Sequence, residues 1–455
     1  MQHSTAEKGL NRSVLGNDFK WGVSVSAYQI EGAHDADDKS PSIWDMFTNR
    51  KGYKGHNGNV ACDFYNNYRS DLQLLKSLNV PNFRFSLAWP RIFPASGSYN
   101  SKGTDYYNRI IDYCLELGIE PWVTLYHWDL PHYMEEKGGW TNRDVVGHFE
   151  NYAEVCARQF GDRVKHWMVL NEPLVFTGAG YYLGVHAPGK RGLLNFLPAL
   201  HNAVLCQAQG GRIIKEICPQ AEVGTTFSCS HIEAYRNKES DNTAAKKVDA
   251  LLNRLFVEPA LGLGYPFKDL KILERIQKYM KPGDEKLMAF DFDFIGIQNY
   301  TREVIRFSLF TPYLNAALVT AKSRNAPVTA MNWEVYPESL YHVIKKFSAY
   351  QGVKKIYITE NGAAFKDILL TDNRINDYQR RDFIKNCIYQ LYHAKSEGAK
   401  VDGYFVWSFL DNLEWSEGFR PRFGLVYVDF KTQRRIVKAS GEWYRDFLAG
   451  EAYLY

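Results

Sequence analysis

The sequence alternates eight short strand-like runs with longer segments of helical periodicity, and this alternation constrains the fold more than any other feature. The predicted strands cover residues 20–27, 80–89, 120–128, 166–171, 221–229, 292–299, 354–359 and 401–409. The predicted helices between them include 62–78, 104–117, 143–160, 199–217 and 377–397. Eight such units predict an α/β fold, a single (β/α)8 TIM barrel that occupies residues 1–455 as one domain with a core of about 19–443. The alternative is a doubly wound sheet of two halves.

Composition excludes several classes of protein. A formal net charge of +4, from 55 basic and 51 acidic residues that are well mixed along the chain, argues against a nucleic-acid partner. No apolar run approaches the length of a membrane span, and the first residues lack a signal-peptide pattern, so a cytoplasmic protein is expected. The 7 cysteines form no CxxC pair and predict free thiols in a reducing compartment. The oligomeric state stays open.

The predicted barrel places functional groups at the C-terminal ends of its strands. Polar and aromatic side chains stand at or near seven of the eight predicted ends. They are Gln29, Arg84, Trp89, His127, Trp128, Asp129, Asn171, Glu172, Asn299, Tyr300, Glu360 and Trp407. A single carboxylate at a strand end would be read as a solvated loop residue. Two of them, Glu172 in LNEP and Glu360 in ITENG, indicate a shared site.

A pair of carboxyl groups on one rim suits the hydrolysis of glycosides. One acid must protonate the departing oxygen, and the second group must attack the anomeric carbon or activate water. Amide and imidazole groups are suitable partners for sugar hydroxyls, which both donate and accept hydrogen bonds. Aromatic faces can cover the apolar face of a pyranose. The residues therefore predict a sugar hydrolase, without identifying the sugar.

Nine sequence motifs make the prediction more specific. They are FKWGVSVSAYQIEGA, PSIWDMF, NFRFSLAWPRIFP, LYHWDLP, LNEP, IGIQNY, ITENG, WSFLDNLEWSEGF and RFGLVYVDF. In these motifs and their order the chain resembles glycoside hydrolase family 1, the β-glucosidase family, from about Phe19 to Trp443. The resemblance implies a retaining mechanism, with Glu172 as acid/base and Glu360 as nucleophile. Their carboxyl groups are then expected about 5–5.5 Å apart.

The resemblance also implies roles for the surrounding residues. The substrate-binding residues would be Gln29, His127, Trp128, Asn171, Tyr300, Trp407, Glu414, Trp415 and Phe423. Arg84 and Tyr300 would keep Glu360 ionised, whereas Glu172 would have a raised pKa because it faces that negative charge. Asn299 would support the site. No metal and no organic cofactor are expected.

Two branches of the family differ from this chain. Enzymes acting on 6-phosphorylated sugars replace the Glu-Trp pair that is present here as Glu414 and Trp415, and a carboxylate at 414 would repel a phosphate. The thioglucosidase branch replaces the acid/base by Gln, whereas this chain has Glu172. Trp333 is predicted either to form the leaving-group subsite or to belong to the core. GAGYYLG at 178–184 fails the GxGxxG spacing of a dinucleotide loop.

The expected activity is an exo-acting β-glucosidase that acts on small β-glycosides or oligosaccharides. β-Fucosides and β-galactosides are expected as secondary substrates. The alternatives are a transglycosylase that uses the same glycosyl-enzyme, and a carbohydrate-binding barrel that has lost catalysis. The sequence does not disclose the leaving group.

Overall fold

A closed barrel of eight parallel strands forms the centre of the molecule. The computed structural model describes residues 9–94 and 98–454. The strands are β1 (Lys20–Ser24), β2 (Asn82–Ser86), β3 (Glu120–Tyr126), β4 (His166–Asn171), β5 (Glu222–Ser228), β6 (Phe294–Gln298), β7 (Ile356–Asn361) and β8 (Val401–Trp407). Each pairs with the next along the chain, and β8 pairs with β1 to close the barrel. The predicted fold and all eight predicted strands are confirmed; the doubly wound alternative is wrong.

The longer helices follow the barrel strands. They are α1 (Phe64–Ser77), α2 (Ser101–Glu116), α3 (Val145–Phe160), α4 (Leu193–Ile217), α5 (Glu239–Asp249), α6 (Glu338–Ser348), α7 (Tyr378–Ser396) and α8 (Ala439–Ala449). Their apolar residues recur at helical spacing: on α1, Leu72 and Leu75 are fully buried. The α4 helix begins six residues before its predicted start. Its additional first turns contain Phe196 and Leu197, whose burial stabilises them. Within the described ranges, every helix is too short or too polar to cross a membrane.

The segments before and between the barrel strands and long helices form additional, shorter elements. Residues His231–Ala234, Arg302–Phe307 and Ala316–Leu318 form a three-stranded sheet, and Val426–Val428 pairs with Arg435–Val437. The short helices are Ala27–Ile30, Ile43–Asn49, Trp89–Ile92, His132–Glu136, Pro173–Thr177, Val257–Ala260 and Asp284–Leu287, with 3-10 turns at Arg12–Leu15, Ala36–Asp38, Gly139–Thr141, Lys271–Tyr279, Lys322–Arg324 and Trp415–Glu417. Two segments, Gly178–Leu183 and Ala250–Arg254, are π-helical.

Large side chains fill the barrel interior near the N-terminal ends of the strands. Trp122, Met168, Phe294, Tyr357 and Phe405, from five different strands, form one buried cluster. Because large side chains fill this end, a space for a ligand can open inside the barrel only at the opposite end, where the strands terminate.

Candidate active site

A cavity of about 310 Å³ opens at the C-terminal ends of the barrel strands. Glu172 and Glu360 both line it, so the two carboxyl groups that the sequence places far apart share one space. The other predicted site residues in its wall are His127, Trp128, Tyr300, Trp333, Trp407, Glu414, Trp415 and Phe423. Arg84 and Asn171 are fully buried and hydrogen-bonded to this group.

Local irregularities in two strands accompany the two carboxylates. The pairing of β4 with β5 shifts register between Met168 and Asn171, immediately before Glu172. The pairing of β7 with both of its neighbours shifts after Ile358, immediately before Glu360. Glu172 itself has a left-handed backbone with φ 44°. Such bulges redirect side chains at the rims of barrels, which explains how the ends of buried strands carry carboxylates into the cavity.

Gly362 allows the ends of β7 and β8 to approach each other closely. A Cβ at this position would lie 1.9 Å from the carbonyl oxygen of Trp407, closer than any non-bonded contact allows. Only glycine therefore fits between the two strand ends. This contact brings the indole of Trp407 into the same cavity wall as Glu360.

Glu360 accepts hydrogen bonds from three different side chains. The guanidinium of Arg84 donates to Oε1, the Gln298 amide donates to Oε1 at 2.7 Å, and the Tyr300 hydroxyl donates to Oε2 at 2.7 Å. Burial raises the pKa of Glu360 above its ordinary value, but the charge of Arg84 and the hydrogen bonds from Tyr300 and Arg84 oppose this increase. These donors favour the ionised carboxylate.

Glu172 is in a less favourable setting for a negative charge. Burial raises the pKa of its carboxyl well above the ordinary value, and the charge of Glu360 raises it further. A hydrogen bond with Ser228 and the more distant charge of Arg84 lower it, and Glu414 raises it again. Since Glu360 has the ion pair with Arg84, the first proton of the pair leaves Glu360 and Glu172 stays protonated. A neutral acid beside a carboxylate can donate a proton while its neighbour attacks.

Asn171 fixes the tautomer of His127. The Asn171 Oδ1 atom accepts hydrogen bonds from Arg84, from Gln298 at 2.6 Å and from Thr226 at 3.0 Å. Its Nδ2 group must therefore be the donor to His127 Nε2, at 2.9 Å. Burial and the charge of Arg84 lower the pKa of His127 well below its ordinary value, so the ring is neutral and its proton lies on Nδ1. Within the described protein this Nδ1 is buried without a hydrogen-bond partner, which leaves a donor for a bound molecule.

Gln298 is a site residue that the sequence reasoning missed. Its amide joins Glu360 to Asn171, so it links the ends of β7 and β4. It occupies the last position of β6, directly before Asn299 and Tyr300 in the IGIQNY motif. Reading the strand end one residue earlier would have found it.

Aromatic rings form much of the cavity wall. Trp128 and Trp415 lie 4.4 Å apart between ring centroids, and Trp415 lies 5.8 Å from His127. On the other side, Trp333 lies 5.4 Å from Tyr300. Trp333 thus lines the cavity while packing against its aromatic neighbours.

Glu414 contributes a third carboxyl group to the cavity. Burial raises its pKa to about 8, and the charges of Glu360 and Glu417 add to the increase. Among the described atoms its Oε2 is buried and has no hydrogen-bond partner. A hydroxyl-bearing ligand would provide the missing donor.

Two predicted residues lie behind the cavity wall. The Gln29 amide donates to the Leu413 carbonyl at 2.8 Å and to Asn412 at 3.1 Å, so it holds the loop that carries Glu414. The Asn299 amide donates to the Cys229 carbonyl at 2.9 Å and to Ser339 at 2.9 Å. Asn299 thus tethers surrounding loops, and the predicted contact of Gln29 with a hydroxyl stays a prediction.

The described part of the chain contains neither a cluster of metal ligands nor a disulfide. Among residues 9–94 and 98–454, no group of three or more His, Cys, Asp or Glu side chains could hold a metal ion. All seven cysteines, each within the described ranges, are free thiols.

Nearly the whole chain matches a known protein family in sequence and solved enzymes in structure. The model of glycosyl hydrolase family 1 matches residues 11–452. The chain is 42% identical over 433 residues to β-glucosidase A of Thermotoga maritima, covering 94% of this chain and 96% of that protein. A β-glucosidase from T. maritima solved in complex with glucoimidazole superposes with a TM-score of 0.91 at 40% identity, covering 96% and 98% of the two chains. The AHE enzyme of Alicyclobacillus herbarius superposes with a TM-score of 0.92 at 37% identity, covering 95% and 97%.

Proposed function

Since the chain belongs to glycosyl hydrolase family 1 and is a glycoside hydrolase of the β-glucosidase type, we propose that it releases single β-linked glucose units from non-reducing ends by a retaining double displacement. The observation that carries the proposal is the shared cavity of Glu172 and Glu360, in which only Glu360 is paired with a buried arginine. Because the arginine favours the ionised form of Glu360 alone, Glu360 can act as the nucleophile and Glu172 as the acid.

In the first half-reaction, the Glu360 carboxylate attacks the anomeric carbon. The bond from that carbon to the leaving oxygen breaks, and the proton of Glu172 passes to this oxygen. The product is a glycosyl ester on Glu360, and the leaving group departs as a neutral alcohol. Arg84 and Tyr300 hold the attacking carboxylate in its ionised form until the bond forms.

In the second half-reaction, Glu172 acts as a base. Esterification removes the negative charge of Glu360, one of the causes that raise the Glu172 pKa, so that pKa falls. Glu172 then takes a proton from water while the water oxygen attacks the anomeric carbon. The ester bond breaks, the sugar leaves with its original configuration, and Glu360 is again a carboxylate.

The remaining polar groups of the cavity suit the hydroxyls of glucose. His127 offers its Nδ1–H, and Asn171 is held in one orientation beside it. Glu414 offers its unpartnered Oε2 atom to sugar hydroxyls, which we assign to positions 4 and 6 of the sugar. The T. maritima relative in complex with glucoimidazole supports a glucose-shaped site. The cavity volume of about 310 Å³ is at the small end of ligand pockets and favours one terminal sugar over an internal stretch of a longer chain, which supports exo action.

The test is the Glu172→Gln variant, assayed on two aryl β-glucosides that differ in leaving group. A dinitrophenolate departs without protonation, whereas a phenolate of higher pKa requires a proton. We expect a loss of about 10²- to 10⁴-fold in kcat/KM on the phenyl glucoside and a much smaller loss on the dinitrophenyl glucoside. Glu360→Ala serves as the matched variant and should lose turnover of both substrates.

Two outcomes would overturn the proposal. Equal losses on both substrates for Glu172→Gln would remove Glu172 from the acid role. Retention of near-normal turnover by Glu360→Ala would remove the nucleophile. Proton NMR of the first-formed sugar checks retention, because an α-anomer as the initial product would contradict a double displacement.

A further inference from the structure

A second, larger cavity lies beside the active-site cavity. Its volume is about 470 Å³, within the range of small-molecule binding sites. Four residues line both spaces: Val175, Ser228, Ser230 and Glu303. Because the two cavities share these walls, the second one, called the side groove below, continues outward from the position of the acid/base Glu172.

The side groove is lined mainly by aliphatic residues. Leucines dominate its wall, among them Leu174, Leu183, Leu251, Leu252, Leu270 and Leu273. They come from the segments after β4 and β5, and Pro312 to Leu314 of the hairpin after β6 complete the wall. Its polar residues are concentrated at the junction with the active site, where burial raises the pKa of Glu303 to about 7. A ligand here would need a polar group near the junction and an apolar body beyond it.

Some of the lining side chains are exposed to solvent. Leu183 is 56% exposed and Tyr313 is 54% exposed, and both line the groove. In sequence, two further exposed apolar residues stand close to lining residues: Leu194 follows Leu193 and is 81% exposed, and Phe310 precedes Pro312 by two positions and is 96% exposed. Exposed apolar side chains at the opening of an apolar groove are typical of a binding site.

Both π-helical segments of the described chain contribute to the groove. Gly178–Leu183 supplies Gly178, Ala179, Tyr182 and Leu183, and Ala250–Arg254 supplies Leu251 and Leu252. Single-turn π-helices are rare and occur frequently at functional sites. This backbone feature is independent of the composition of the wall and points to the same place.

We propose that the leaving group of the natural substrate carries a long apolar chain, alkyl or lipid-like, that lies in the side groove while the glucose occupies the active-site cavity. The inference rests on the proposed function, since it assigns the leaving-group side of the same site. It makes this enzyme selective for amphiphilic glucosides over cellobiose, whose second sugar would place hydroxyls against leucines.

The test is a series of n-alkyl β-glucosides from ethyl to dodecyl, each assayed below its critical micelle concentration. Each methylene that leaves water should raise kcat/KM by about twofold to fourfold until the groove is filled. The measured quantity is the slope of log(kcat/KM) against chain length. Cellobiose should be a poorer substrate than octyl glucoside.

Two glycine variants distinguish binding of the alkyl chain in the side groove from effects of chain length that do not depend on the groove. A Cβ at Gly178 or at Gly147 meets no atom within 4 Å, so a substituted side chain starts in open space at either position. Gly178→Leu should project into the groove and reduce the slope by at least half. Gly147→Leu, on the exposed face of α3, should keep the slope of the unmodified protein. Leu183→Asp, at the half-exposed mouth, gives a second test that does not depend on the folding of Gly178→Leu.

The outcomes distinguish this inference from the proposed function. If aryl β-glucosides are hydrolysed but kcat/KM does not change with the alkyl chain length, the side groove is refuted as a leaving-group site. The proposed function then stays intact. A steep series that survives both Gly178→Leu and Leu183→Asp would place the chain elsewhere and also refute it. Absence of all β-glucoside hydrolysis would refute the proposed function itself.

Discussion

Tyr300→Phe is the most informative single change to the active site. It deletes one oxygen atom, the hydroxyl that donates to Glu360 Oε2 at 2.7 Å, and leaves the ring in place. That ring contacts Trp333 at 5.4 Å and Phe423 at 6.0 Å between centroids, so the shape of the cavity should persist. The variant therefore tests the electrostatic role of the hydroxyl separately from packing.

The magnitude follows from the kind of hydrogen bond that is lost. A hydrogen bond to a charged group contributes about 1.5–3 kcal/mol. If the transition state for the first displacement loses this amount, kcat/KM falls by about 10- to 150-fold. The bond also lowers the pKa of Glu360, so its removal raises that pKa. Since the nucleophile must be ionised in the free enzyme, the acid limb of the kcat/KM profile should move to higher pH.

The assay is the pH dependence of kcat/KM on an aryl β-glucoside, and Tyr357→Phe is the matched control. The Tyr357 hydroxyl donates to Glu222 at 3.1 Å, so the same atom is removed from the same kind of pair at the opposite end of the barrel. Tyr357→Phe should keep both limbs of the profile. An unchanged acid limb in Tyr300→Phe, or equal shifts in the two variants, would refute the argument that the cavity sets the ionisation of Glu360.

Two further substitutions test other parts of the site. Glu414→Ala should reduce kcat/KM on a nitrophenyl glucoside by about tenfold or more, with a smaller effect on the 6-deoxyglucoside; equal losses would remove Glu414 from the sugar site. Gly362→Ala should destabilise the protein by about 1–3 kcal/mol and lower activity, because its methyl group would displace the Trp407 carbonyl. Thermal unfolding measures this effect against Gly147→Ala, whose methyl group meets open space, and equal melting temperatures would contradict it.

The sequence predicted the barrel well because the signal for each strand is local. Runs such as KKIYIT and EPWVTLY combine β-branched and aromatic residues between helical segments, and they became β7 and β3. The small sheet that includes Arg302–Phe307 escaped prediction because one of its partners, His231–Ala234, lies about 70 residues earlier in the chain. Pairing across that separation leaves no periodic pattern within either segment.

The direction of side chains at strand ends was harder to predict. Trp89 follows β2 and was counted with the strand-end residues, yet it stacks on Tyr152 at 4.7 Å in the core. Asn299 likewise points toward loop carbonyls, while its neighbour Gln298 points toward Glu360. Direction there depends on register shifts and on partners from other strands, which a pattern of residue types does not encode.

The contact between Arg84 and Glu360 also has a consequence for how the protein is made. The two residues are 276 positions apart, and Arg84 is fully buried in the finished molecule. At ribosomal rates of about 5–20 residues per second, Glu360 is synthesised roughly 15–55 s after Arg84. During that interval the emerging first half of the chain cannot bury this cation without a large desolvation cost. Final closure of the barrel and formation of the ion pair between Arg84 and Glu360 should therefore be one late event, and truncated chains should be inert.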